Sequence, residues 1–188
     1  IKTVESIAKV INIPLTVGGG VSDLSDITNL LNAGADKVSI NSAAVKNPKL
    51  VKKASLKHGS QCIVVAIDAK RFQGNFRVVI KGGRELTSKN LVDWAIYIQK
   101  IGAGEILLTS MDTDGVQKGF DAEMLRSITS KVTIPVIASG GVGELEHFYK
   151  GHQTRSTGLL AASVFHSGKY TIKQVKRFLD KKGVPVRL

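Results

Sequence analysis

Cysteine is almost missing from the 188 residues; Cys62 is the only one. One thiol cannot build a disulfide framework or a cysteine metal cluster. Its place in the apolar run 62–67 predicts a buried, inert side chain. Aromatic residues make up only 5%, and acidic residues are outnumbered 15 to 27 by basic ones, a formal net charge of +12. Nucleic-acid binding calls for basic residues gathered on one face, often with stacking aromatics. Here the lysines are spread over several candidate helices, Lys46 to Lys57 and Lys169 to Lys182, with no basic–aromatic motif. The charge is therefore expected to attract a small phosphorylated metabolite, not a nucleic acid. No apolar run approaches the roughly 18 residues that span a bilayer, and no basic-then-apolar leader is visible. A cytoplasmic protein without a membrane partner is the expectation. His58, His147, His152 and His166 form no HxxxH or triad-like set, so no metal and no cofactor is expected.

What the chain does have is a long-period repeat. Ile134-Pro135-Val136-Ile137-Ala138-Ser139-Gly140-Gly141-Val142-Gly143 matches Ile13-Pro14-Leu15-Thr16-Val17-Gly18-Gly19-Gly20-Val21-Ser22 at an offset of 121, and Ala162-Ser163 matches Asn41-Ser42 at the same offset. Each copy reads as a strand, a glycine turn, a helix, a second strand and a small polar residue at its end. Helical stripes fall near 1–10, 22–33, 48–58 and 88–101. Continuous apolar strands fall at 62–67 and 105–110, and turn signals near 73–75 and 82–83 predict a hairpin inserted after Asp68. Helices follow near 121, 144–151 and 171–182, with a strand at 158–163.

Six βα units with short connections imply a parallel sheet. Because the offset spans four units, two such halves make a (βα)8 TIM barrel of about 250 residues. Residues 1–188 are thus expected to form a single-domain barrel from which about two N-terminal βα units are absent. A complete six-stranded doubly wound sheet is the alternative. In barrels the chemistry sits where strands end. Glycines there let the backbone approach a ligand, and the N–H groups of a following helix favour an anion. Two matched copies suggest two phosphate sites on one rim. Asp68, after an apolar strand, is the best-placed proton-transfer group and is expected to have a raised pKa; Asp114, before Gly115, is second.

The segments 13–41 (IPLTVGGG…GADKVSIN), 64–71 (VVAIDAKR), 104–115 (GEILLTSMDTDG), 134–147 (IPVIASGGVGELEH) and 161–166 (AASVFH) resemble the cyclase subunit of imidazole glycerol phosphate synthase, the HisF family. The related isomerase family, HisA, is less similar at 64–71 and 107–115. The resemblance implies ammonia supplied by a glutaminase partner and a bisphosphorylated ribulosyl aminoimidazole carboxamide nucleotide as substrate. The products would be imidazole glycerol phosphate and an aminoimidazole carboxamide ribotide. It assigns general acid/base chemistry to Asp68. It assigns phosphate contacts to Gly20, Asn41 and Ser42 at one end, and to Asp114, Gly115, Gly141, Ala162 and Ser163 at the other. Lys37 and Glu105 match charged residues at the ammonia entrance on the opposite face, where Asp36 and Gln61 are expected to meet the glutaminase.

Two departures stand out. The family's second catalytic aspartate, on strand one, and the lysine in the loop after it have no counterpart in these residues. The 188-residue chain alone is therefore expected to be inactive as a cyclase and to expose two unpaired strand edges. Residues 150–155 (Lys-Gly-His-Gln-Thr-Arg) replace an apolar helix end, which predicts a shortened or loosened helix there. Such a change would suit a paralogue in surface-polysaccharide synthesis. A non-catalytic phosphate-binding barrel fragment is the remaining reading.

Overall fold

The apolar runs form strands that lie side by side in the order in which they occur. A computed structural model describes residues Ile1–Leu188. Its strands are β1 (Thr16–Gly18), β2 (Lys37–Ile40), β3 (Ile63–Phe72), β4 (Asn75–Ile80), β5 (Glu85–Asn90), β6 (Glu105–Ser110), β7 (Val136–Ser139) and β8 (Gly158–Leu159). The main path runs β1-β2-β3-β6-β7-β8, every neighbour parallel. A doubly wound sheet reverses its strand order at a switch point; this one never reverses. The doubly wound alternative therefore falls, and the sheet curls as an open part of a (βα)8 barrel. β1 and β8 each have one partner and leave the edges of the curl unpaired.

The helices are α1 (Lys2–Ala8), α2 (Leu24–Asn32), α3 (Ser42–Lys46), α4 (Lys49–His58), α5 (Leu91–Lys100), α6 (Ala122–Thr129), α7 (Leu145–His152), α8 (Ser163–His166) and α9 (Ile172–Lys181). Period-two alternation sorts the strand side chains. Val38, Ile40, Val65, Ile67, Ile106 and Leu108 are fully buried and pack with Leu50, Val51 and Ala54 of α4 and Leu91, Trp94, Ala95 and Ile98 of α5 in a core of 26 residues. A second core of six residues joins Val142, Phe148 and Val164 to Val175, Leu179 and Val184. The alternate residues Thr16, Gly18, Ser39, Ala66, Asp68 and Leu107 face the concave side and line its cavity.

Several details depart from expectation. Asp68 does not end its strand: β3 runs on to Phe72 and pairs there with β4, which pairs with β5. The predicted hairpin is thus a three-stranded antiparallel extension, and the helix expected from 88 starts at Leu91. The strand expected at 158–163 is only Gly158–Leu159, and Ser163 already opens α8. Cys62 is half-buried in a 3-10 turn (Ser60–Cys62), not buried in the strand. The stripe of α1 meets no core: none of its residues is buried. The segment 150–155 is not loosened. α7 keeps eight residues, and a Cβ on Gly151 would come within 2.7 Å of the Phe120 ring, so glycine there permits close packing. Beyond it, buried Thr154 bonds the Gly151 carbonyl at 2.6 Å and the Ser156 hydroxyl at 2.8 Å. No helix is long and apolar enough to cross a membrane.

Candidate functional site

The concave face holds a cavity of about 830 Å³ bounded by the ends of β1, β2, β3 and β6. Among its lining residues are Gly20, Asn41, Ser42 and Asp68. Asp68 sits at a junction. β3 takes β2 as its neighbour up to Val65, and β4 replaces β2 along the same edge from Asp68 onward. The residue that follows β2, Asn41, therefore faces Asp68, and its Nδ2 donates to Asp68 Oδ2 at 2.9 Å. Burial pushes the Asp68 carboxyl above its ordinary value; the Asn41 bond opposes this and the charge of Asp114 adds to it. Asn41 Oδ1 is buried without a partner. One of its two amide N–H donors is thus committed to Asp68, while its acceptor oxygen stands without a partner.

A second, smaller cavity of about 150 Å³ is lined by Asp114, Gly115, Gln117, Ser139, Gly140, Gly141, Ala162 and Ser163. Leu160 lines both cavities, so the two lie next to each other on one rim. The Asp114 N–H already donates to the Ser110 carbonyl at 2.9 Å. Its carboxylate has no hydrogen bond to spend on an anion and would repel one, while it acts electrostatically on Asp68.

The glycine turns match in backbone: Gly19 and Gly20 have φ of 94° and 73°, Gly140 and Gly141 of 93° and 95°. The helices they lead into spend part of their N-terminal N–H groups within the chain, however. Asp23 accepts from Ser25 and Asp26 N–H, and Asp26 accepts from Ser22 N–H at 2.8 Å, a closed capping box. At the 121 offset, His147 Nδ1 accepts from Gly143 N–H at 3.0 Å and from Glu144 N–H at 3.2 Å, half of the same box, while the Glu144 carboxylate accepts from Lys169 and Tyr170. Both long helices therefore turn a third-position side chain back onto their own N-termini. The remaining short helices start at the cavities: α3 at Ser42 and α8 at Ser163, again 121 apart. The residues predicted for phosphate meet at these two points, with the acid/base candidate next to the first.

Over residues 1–171 the chain matches the model of a family described as histidine biosynthesis protein. The chain belongs to that family. Its fold is the TIM barrel, in agreement with the curled sheet, and its members are isomerases or cyclases of histidine biosynthesis.

In this histidine biosynthesis family member, the opposite ends of the strands carry charge. Lys37 and Glu105 start β2 and β6 and share the concave parity of Ser39 and Leu107, so they lie beneath the cavity. Their side chains pair with each other, and Glu105 is buried. This is not the surface ion pair that strand-start charges suggest by default. Asp36 Oδ2 accepts from Leu15 N–H at 2.7 Å, and Gln61 is exposed. No group of three His, Cys, Asp or Glu side chains stands together as metal ligands do.

Three lining features were not singled out from the sequence. Ser39 follows from period two once Asn41 is placed. Lys46 lies in the short helix α3, which the sequence hid before Pro48. Gly82 reaches the first cavity only because β4 returns beside β3.

Proposed function

We propose that this chain carries the catalytic rim of the cyclase subunit of imidazole glycerol phosphate synthase. In this reading ammonia from a glutaminase subunit reacts with the bisphosphorylated nucleotide PRFAR to give imidazole glycerol phosphate and AICAR. The observation that carries the reading is Asp68, half-buried beside one of two adjoining, internally repeated pockets. A substrate with a phosphate at each end fits that arrangement. One end would rest on Gly20 and Ser42, the other on Gly115, Gly141, Ala162 and Ser163. Condensation, cleavage and ring closure each move a proton. A carboxyl with a raised pKa holds its proton nearer neutral pH and can give it up and take it back. Asn41 fixes the carboxylate's direction, and Asp114 raises its proton affinity.

The choice of cyclase over isomerase rests on the resemblance at 64–71 and 107–115 and on the half-buried Lys37–Glu105 pair under the cavity. An isomerase needs no route for ammonia. A pair whose side chains swing apart would open one, with the glutaminase docked on that face. The polysaccharide-paralogue reading finds no support at the rim, because residues 150–155 lie at the other end of α7 from the glycine turn. The test is turnover by the full-length product of the reading frame. Ammonium-dependent formation of imidazole glycerol phosphate from PRFAR is expected, with loss in Asp68→Asn. Isomerisation of the ring-closed precursor without ammonia would assign the sister activity. Tight PRFAR binding with neither reaction would leave a binding fragment.

A further inference from the structure

The two anion pockets differ in where they keep positive charge. Apart from Asp114 the second has no charged lining residue. The first has two: Asp68 in its wall, and Lys46, the last residue of α3, at its mouth. Over the same mouth hangs the β4–β5 turn. The Lys81 N–H donates to Ser42 Oγ at 3.1 Å, Gly82 lines the cavity, and a Cβ on Gly83 would lie 2.5 Å from the Met111 side chain. Lys81 Nζ pairs with Glu85 Oε2 at 2.7 Å. The Glu85 carboxyl is held below its ordinary value by Lys81 first, with Lys46 adding to it. A carboxylate of the chain therefore holds Lys81 directly and acts on Lys46 across space, beside the first pocket.

We propose that Lys46 and Lys81 form a cation clamp for a phosphomonoester dianion in the first pocket, and that Glu85 is the internal anion it displaces. This rests on the reading of that pocket as a phosphate site and adds what selects the ligand there. Ser42 supplies a helix start, and its hydroxyl already holds the turn that carries Lys81. A dianion seated at Ser42 draws Lys81 from Glu85, which returns to solvent, and the turn settles over the cavity. The first pocket then discriminates by charge and loses affinity with salt. The second, without a lysine, relies on backbone N–H groups.

The signature is a difference of sign. Lysine removal weakens binding, whereas Glu85→Gln, which removes a competitor, tightens it. All three side chains are exposed, so the variants are expected to fold. The experiment titrates inorganic phosphate into the 188-residue chain and follows the amide resonances of Ser42 and Ser163 separately. In Lys46→Ala and Lys81→Ala the Ser42 curve is expected to weaken about 3- to 10-fold, in Glu85→Gln to tighten about 2- to 5-fold. The Ser163 curve stays put throughout. Saturable Ser42 shifts with the same affinity in all four proteins would overturn the clamp and leave the phosphate reading standing. No Ser42 response in the parent chain would overturn both.

Discussion

The copies at 13–42 and 134–163 share a backbone trace but not its surroundings. Both place two glycines in left-handed conformations, turn a third-position side chain back onto the N-terminus of the next helix, and start a short helix at a serine. In the second copy the loop after β6 folds onto the turn: Gly119 N–H donates to the Gly141 carbonyl at 2.7 Å, and a Cβ on Gly141 would meet the Gly119 oxygen at 2.2 Å. In the first copy a Cβ on Gly20 would meet nothing within 4 Å. One motif thus serves two ends. A small pocket is braced by protein, and a large one is left open toward Asp68. A repeated backbone sets where an anion can sit; the neighbouring segments set how much else fits beside it.

The largest test of this division concerns the carboxylates. Asp68→Asn is expected to lower turnover about 10²- to 10⁴-fold, the usual weight of a general acid/base, and Asp114→Asn less. Equal losses would erase the distinction between the pockets. Because the folded Asp68 pKa lies above its ordinary value of 3.8, its protonated form favours the native state. That contribution is complete below the unfolded value and is lost as pH rises through the folded one. Denaturant unfolding should therefore show Asp68→Asn gaining stability over the parent protein from pH 3 to pH 7.

Next in size is the pair of glycine substitutions. Gly141→Ala combines left-handed strain with overpacking and should cost about 3 kcal/mol, whereas Gly20→Ala carries strain alone and should cost about 1 kcal/mol. Chemical-denaturation midpoints compare them; similar costs would mean the braced and open turns are equivalent. A further pair lies where the copies diverge, and its second member carries the smallest effect. Gly34, with φ of 102° and 2.7 Å between an added Cβ and that of Ala8, corresponds at the 121 offset to Arg155, with φ of 64°. Gly34→Ala should destabilise by about 2 kcal/mol. Arg155→Gly should stabilise by about 0.5 kcal/mol, because relief of strain slightly exceeds the entropy glycine adds to the unfolded chain. Thermal midpoints settle both signs.

Much of the scaffold was legible because it is written in apolar periodicity. β6 begins and ends where the run 105–110 does, and the inward residues of α4 and α5 are those at helical spacing. The repeat offset was legible too, down to the serines that open α3 and α8. Other features depended on contacts across the fold. β5 reads Glu-Leu-Thr-Ser-Lys-Asn, with no apolar alternation, and is a strand only because β4 pairs with it. The stripe on α1 promised a buried face, but periodicity records that a face is apolar, not that anything covers it. The commitment of Asn41 to Asp68 joins residues 27 apart in sequence and needed the register of β2 against β3.

The division into two cores bears on how the protein breathes. The larger core ends at Ala138 and the smaller begins at Val142, so the boundary runs through Gly140-Gly141. A six-residue core resists opening less than one of 26. Amide protons of α7 and α9 should therefore exchange through a partial unfolding that spares β2, β3 and β6. The second pocket draws Ser139 from one side of this seam and Ala162 and Ser163 from the other. An anion held there rivets the two cooperative units together, and exchange in α9 should slow in proportion to occupancy.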